Sequence, residues 1–506
     1  MRIPAVVAAR GMRSAPRLAR FAAVTLRKAS SLLIALALVG GCRDQSSGPL
    51  KVTAIGPQPA LINPNLQPVT PPSAMLLETV AQGLVRFDSA GEIEPALAQS
   101  WIVSDDGRRY TFRLRRALWA RGERVTAEQV VVRLQAALSR ASRNRLKPVL
   151  GVVEDVEAMT DQVLEIRLTN PRANFLQLLA QPEIAIIADN EGTGPYRLGG
   201  RVEGALRLVP PPPEDEEAPQ DEAAVEIQLA GATPAVAVVR FRAGEADLVT
   251  GGTAGDLPIL RAAEIPQGQV AFDPTLGLFG LAFQSAQGAL SDPAVRRALS
   301  MAIDRAAILE RFQVPDWRPR TGLLPTGLDD VPAPAAADWE NLAFPQRREL
   351  AALAIAKLEP GLPLRLRVAM PDRPGYRILF AHLRRDWRLI GVEVERVAAN
   401  APAELRVIDE VAPAQLATWY LRSFMCHASP VCDEEVTPVL EAARNTADPA
   451  ERRALLIQAD QTLTNATVFI PIANPVRWSL RTQRLTGFRT NMFARHPPFE
   501  LIQSRD

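Results

Sequence analysis

Residues 84–130, LVRFDSAGEIEPALAQSWIVSDDGRRYTFRLRRALWARGERVTAEQV, constrain the fold more than any other stretch of the chain. Asp88-Ser89-Ala90-Gly91 reads as a turn between two apolar runs. Pro95 suits a first helical turn, because its φ is fixed and it lacks an N–H, so a short helix is expected over residues 96–100. Asp105-Asp106-Gly107 predicts a tight hairpin, since glycine tolerates positive φ. Tyr110, Phe112 and Leu114 then alternate with Thr111, Arg113 and Arg115, the pattern of a strand with one buried face and one wet, basic face. Thr126, followed by Glu128 and Gln129, predicts a helix N-cap: the hydroxyl accepts a backbone N–H, and the acid suits the positive end of the helix dipole. A hairpin followed by a helix belongs in an α/β layer.

The same grammar recurs downstream. Residues 152–159 and 163–168 alternate as a hairpin around Thr160-Asp161. Residues 276–284 are an apolar strand. Asp292-Pro293 then caps and opens a helix whose buried stripe is Val295, Leu299, Ala302 and Ile303. Asp304-Arg305, tempting as a catalytic pair, reads as structure at a helix end. Residues 364–369, 376–390 and 392–397 predict strand, helix and strand, a right-handed crossover with Gly391 at the helix end. Helices are expected over 73–83, 437–443 and 449–465, and strands over 50–55, 468–472 and 476–480.

Taken together these strings resemble a known family. Pro95-Ala96-Leu97-Ala98 with Trp101, the Tyr110–Leu114 strand, Gly192-Thr193-Gly194-Pro195-Tyr196, Ala243-Gly244-Glu245-Ala246-Asp247-Leu248 and the 290–305 helix follow the order and spacing of the family 5 extracytoplasmic solute-binding proteins. These are the oligopeptide, dipeptide and nickel binding proteins of ABC importers. Gln129 departs from the pattern, which often has Asp there. The resemblance covers residues 50 to 490, and is weakest over 211–223, 323–346 and 409–435. It implies an α/β, periplasmic binding protein type II-like fold: two lobes with a hinge and an extra subdomain. The implied divisions are 50–72 and 186–272 for lobe I, 73–185 for its subdomain, 273–475 for lobe II and 476–506 for the return to lobe I. Gly-Thr-Gly-Pro-Tyr is then expected to be a tight reversal into a strand. A phosphate loop is rejected there, because no Gly-Lys-Ser/Thr end follows.

Charge and cysteine narrow the class. The 506 residues carry a net charge of only +2, which disfavours a nucleic-acid partner. The basic excess is local: seven Arg and Lys residues precede residue 42 with no acid among them, and the remaining 51 basic residues face 56 acidic ones. Residues 1–41 therefore read as a signal peptide, with a basic start and the apolar run 32–39. That run is too short to span a bilayer, which takes about 20 residues. Val39-Gly40-Gly41-Cys42 reads as a lipobox with Cys42 as the lipidated residue and 42–49 as a tether; an ordinary cleavage site with a chance cysteine is the other reading. Cys426 and Cys432 then remain, and export favours a disulfide over a buried free pair. Only His427 lies near them, so no metal is expected.

No Gly-x-Ser-x-Gly elbow, His-Glu-x-x-His helix or Walker loop is present, and the three histidines are scattered. Capture without chemistry or cofactor remains, as two lobes closing on a solute. An extended peptide would add as a strand. The family resemblance puts the cleft walls at residues 278–284, including Leu278, Phe279 and Gln284, and at residues 408–426. In peptide-binding members that second segment carries the acid of a Trp-x-x-Asp-Tyr-x-Asp-Pro-like run. This chain has Asp409 and Glu410, either of which can take the acid's place, and Trp419 and Tyr420, read equally as core or as ligand platform. Three functions stay open: a monomeric receptor lipoprotein, periplasmic and membrane-anchored, that serves an ABC permease and ATPase with a small peptide or peptide-like solute; a sensor of the same fold without transport; and, against the missing nucleophile, a cell-envelope hydrolase.

Overall fold

The computed structural model describes residues 48–502 apart from 120, 173, 190, 212–224 and 359–362. The expected signal peptide, Cys42 and most of its tether lie outside the described residues, as does most of the Pro- and acid-rich loop around Glu214.

Two large sheets dominate. The first, that of lobe I, has seven strands in the order Arg197–Val202, Ala205–Val209, Ile227–Ala232, Leu50–Ile55, Leu248–Thr253, Arg477–Arg481, Val270–Asp273. Leu50–Ile55 runs parallel to both of its neighbours. It is buried at every position but Lys51, which is why LKVTAI reads as a nearly continuous apolar run rather than an alternating one. The second sheet, of lobe II, has five strands in the order Val392–Ala398, Leu364–Met370, Leu405–Val411, Gly277–Phe283, Phe469–Ala473. Leu364–Met370 and Val392–Ala398 are parallel, and helix Pro374–Arg388 joins them as the crossover the sequence predicts. The chain passes between the sheets twice, over residues 274–276 and again over 474–476, so lobe II is inserted between two strands that are neighbours in lobe I.

The subdomain is a four-stranded sheet, Ala98–Val103, Arg109–Leu114, Val163–Leu168, Val153–Thr160, backed by helix Ala127–Leu138. Tyr110, Phe112 and Leu114 face inward as their alternation requires. Val130, Leu134 and Ala137 bury the helix face, each fully buried Val or Leu contributing about 1.5–3 kcal/mol. Thr126 and Gln129 form a reciprocal capping box, and Gln129 also accepts the Trp119 indole N–H at 2.8 Å.

Three expectations are corrected. No helix forms over 96–100. Ala98 N–H donates to the Leu84 carbonyl at 2.9 Å and Arg115 N–H to Leu97 at 3.0 Å, so ladder bonds to neighbouring chain prevail over the Pro95 signal. Helix Pro71–Val80 does not open the subdomain: Met75, Leu76, Leu77 and Val80 pack with Leu50, Val52, Leu229 and Leu248 of lobe I, and the subdomain core starts at Leu84. Gly192 and Gly194 serve close approach rather than a tight turn. A Cβ on Gly194 would stand 2.4 Å from the Thr79 carbonyl oxygen, and its N–H donates to Val80 O at 2.9 Å.

Asp304 and Arg305 are helix-end structure. Asp304 caps helix Arg305–Phe312, while buried Arg305 donates to the carbonyls of Pro471 and Ser300.

Candidate functional site: the cleft between the lobes

A cavity of about 330 Å³ lies where lobe I, the subdomain and lobe II meet. Its volume is at the small end of the ~300–1,000 Å³ typical of small-molecule sites. Lobe I supplies Val69, Thr70 and the start of helix Pro71–Val80, together with Thr250, Gly251, Thr253, Asp273, Trp478 and Arg495; the subdomain supplies Arg145, Gln181 and Glu183; lobe II supplies residues 409–413.

The floor is a polar network that joins the two lobes. Arg477 opens the lobe I strand just past the second crossing. Its Nη1 meets Asp409 Oδ1 at 2.6 Å and its Nη2 donates to the Asp409 carbonyl at 2.9 Å. Asp409 Oδ2 also accepts the Tyr376 hydroxyl at 2.8 Å. Arg477 is held above its ordinary pKa: burial works against its charge, but Asp409, Tyr376 and Glu410 together outweigh burial. Alongside, Arg373 of lobe II meets both oxygens of Asp256 of lobe I at 2.6–2.7 Å, and Asp256 is fully buried. The approach is close because Gly375 has no side chain: a Cβ there would stand 2.1 Å from the Ala254 carbonyl oxygen.

The walls are charged as well. Arg145 Nη2 lies 3.4 Å from Glu410 Oε2, a pair with nearly half of each side chain exposed. Arg495 pairs with Glu78 at 3.2 Å, and burial pushes the Glu78 carboxyl above its usual range. Asp273 accepts from Asn491 N–H at 3.1 Å and meets buried His496 at 3.2 Å. Direct bonds hold the subdomain against lobe II: Gln181 Nε2 donates to Pro413 O at 2.6 Å, Asn174 to Gln415 O at 3.0 Å, and Gln415 N–H to Gln177 Oε1 at 2.9 Å.

Of the residues expected from sequence, the structure brings only Asp409 and Glu410 to this cavity. Leu278 and Phe279 are core, Phe279 stacking on Trp317 at 5.6 Å. Gln284 is exposed at the far end of its strand, accepting from Arg406 Nε at 3.1 Å. Tyr420 is fully buried; Trp419 packs edge-on against it at 4.7 Å and is half-buried between two cores. Cys426 and Cys432 are joined by a disulfide, with Cα atoms 5.0 Å apart. Three residues after Trp419, where the expected run would carry its acid, stands Arg422. Among the described residues, no group of three or more His, Cys, Asp or Glu could hold a metal ion. Arg145, Arg477 and Arg495 were not legible, because their partners lie 265, 68 and more than 400 residues away in sequence.

Residues 92–422 match the family model described as bacterial extracellular solute-binding proteins, family 5 Middle. The nickel-binding periplasmic protein of Escherichia coli (strain K12) is 25% identical over 66% of this chain and 68% of its own length. Di/tripeptide-binding protein 2 of Pseudomonas aeruginosa (strain UCBPP-PA14) is 24% identical over 78% of this chain and 84% of its own. The crystal structure of Haemophilus influenzae OppA in complex with RPPGFSPFR superposes with a TM-score of 0.76 at 18% identity, over 90% of this chain and 98% of that one.

Proposed function

The chain belongs to the bacterial extracellular solute-binding proteins, family 5, and from that membership we propose that it is the capture component of an ABC importer, closing two lobes on a small peptide or peptide-like solute. Delivery to a permease and its ATPase, and anchoring through a lipidated Cys42, are part of the proposal; Val39-Gly40-Gly41-Cys42 supports the anchor. The relatives' names support the solute class.

The observation that carries the reading is the Arg145–Glu410 pair on the cavity wall, one partner from the subdomain and one from lobe II. Asp409 is already engaged by Arg477 and Tyr376, so it is a poor counter-charge for an incoming ammonium. Glu410 is the exposed acid that can meet one, beside the buried Glu183 at 3.9 Å from Arg145, and Arg145 is the cation that can meet a carboxylate. A solute with both groups replaces an exposed ion pair worth about 0–1 kcal/mol with two desolvated ones. The small cavity favours two or three residues over a long peptide.

Calorimetry with a di- and tripeptide panel tests this. Glu410→Gln is expected to weaken binding by about 2 kcal/mol or more. Asp409→Asn should act mainly on stability. Equal peptide affinity in wild type and Glu410→Gln would discard the counter-charge role. Small-angle scattering that shows no compaction at saturating peptide would discard closure itself.

A further inference from the structure

A second cavity, of about 170 Å³, lies further along the same lobe II segment; it touches Gln415 and Leu416 and shares no lining residue with the first. Pro171, Arg172 and Asn174 of the subdomain form one wall, and Asp329, Asp330, Arg452 and Arg453 of lobe II another. Gln415 is pinned between the cavities by Asn174 and Gln177, so the two are separate chambers.

The chemistry here is weighted toward cations. Arg422, Arg444 and Arg452 each stand near enough to repel Arg172, and Arg444 near enough to repel Arg422. Among the described residues none of the four has a carboxylate within 4 Å, whereas Arg373 and Arg477 at the cleft floor each have one. Arg452 spends its donors on three carbonyls, Pro171, Ala443 and Thr446, at 3.1, 3.2 and 2.7 Å. Arg444 makes one contact, to Gly151 O at 3.2 Å. Arg422 Nε is buried with no partner. Arg172, which lines the cavity, has no hydrogen bond to its side chain among the described residues. Burial, and then the nearby Arg452 charge, push Arg172 down to about 10. Asp329 and Asp330 share the lining with Arg172 and Arg452, and Glu441 acts on Arg422; Asp330 is occupied by the Ala417 N–H at 3.2–3.3 Å and is itself raised by burial. These three acids do not balance the five guanidinium groups of Arg172, Arg422, Arg444, Arg452 and Arg453.

We propose that this cavity is an anion site for a small free oxyanion of the phosphate class, held between Arg172 of the subdomain and Arg452 of lobe II, with Arg422 behind. Guanidinium groups match tetrahedral oxyanions through paired N–H donors, and the volume admits a phosphate but not a peptide. Because its walls belong to different units, the site is complete only when the subdomain and lobe II are together. An anion that binds only that arrangement favours it, and by linkage raises affinity for a solute in the main cavity. The proposal needs lobe closure but not the identity of that solute.

Titrating the purified protein with inorganic phosphate, at ionic strength held constant with chloride and followed by calorimetry and ³¹P NMR line width, tests it. Saturable binding is expected in the wild type. Arg172→Gln should weaken it about tenfold or more, the loss of a charge-assisted pair. Arg365→Gln, an exposed arginine elsewhere in lobe II, should leave it unchanged. In phosphate-free buffer Arg172→Gln should unfold at or above the wild-type temperature, because it removes a like-charge repulsion. A phosphate response matched by chloride, equal phosphate affinity in Arg172→Gln, or a lower unfolding temperature for that variant without phosphate would each overturn the site.

Discussion

The cleft floor and the seam between subdomain and lobe II treat arginine in opposite ways. At the floor, Arg477 and Arg373 each reach across from one lobe to a carboxylate of the other, at 2.6 Å. Along the seam, Arg172, Arg422, Arg444 and Arg452 meet carbonyls or nothing. Both regions cross between units, so both matter to closure. A buried ion pair is neutral and complete; its energy is spent inside the protein, and breaking it leaves a stranded charge. A set of cations that outnumbers its acids and forms no ion pair with them is incomplete, and its energy waits for a partner from solution. The floor therefore reads as a fastener and the seam as a receptor.

The largest expected effect is at the floor. Arg477→Met leaves buried Asp409 with only the Tyr376 hydroxyl, and should cost about 3–5 kcal/mol in urea unfolding. A loss under about 1 kcal/mol would put the floor on the footing of a surface pair and dissolve the contrast.

Asp460 sharpens it from another side, as a buried acid that, among the described residues, no cation meets within 4 Å, although the buried Arg320 charge acts on it. Burial raises it to about 6 from an ordinary 3.8, while Ala335 N–H and the Thr464 hydroxyl bonds partly oppose the shift. A raised folded-state pKa means stability that is full below about pH 4 and is lost as pH rises through 6. The loss amounts to about 2–3 kcal/mol. Asp460→Asn should flatten the stability profile across that window; a wild-type profile already flat there would show the acid to be satisfied.

Reducing the Cys426–Cys432 bond comes next. The short loop it closes joins helix Ala417–Arg422, which ends in Arg422, to helix Val436–Asn445, which carries Arg444. Chain entropy assigns it about 2 kcal/mol. Thermal unfolding with and without reductant measures this, and a shift only in the presence of phosphate would tie the bond to the seam rather than to the fold. The smallest effect is expected from Arg422→Gln in phosphate-free buffer, within about 0.5 kcal/mol of wild type and of either sign.

Most of the architecture was legible because its signals are local. The crossover at 364–398 shows in its alternation, its helical stripe and Gly391. Thr126 and Asp292 announce their helices by capping chemistry two or three residues long. The failures share one cause, a non-local contact that outweighs a local preference. Pro95 favours a helix start, but Leu84 and Leu97 supply ladder partners. Asp409 reads as a free acid until Arg477, 68 residues on, arrives beside it. Phe279 reads as a cleft wall only through the family resemblance; its strand is covered on both faces and supplies no residue to the cavity, and period-two alternation does not reveal that.

The two crossings between the lobes also fix an order of assembly. Strand Val270–Asp273 has a single sheet partner, Arg477–Arg481, and so does the free side of Leu248–Thr253. As the chain emerges from the ribosome, the first lobe therefore carries an open β-edge until some two hundred further residues have been made. It cannot close before the second lobe exists. Exposed edges are templates for wrong pairing, so the chain depends on something to cover them in the interval. For a polypeptide whose N-terminus reads as an export signal, that delay is also useful: a sheet that closes only at its 481st residue keeps the chain threadable through nearly its whole length.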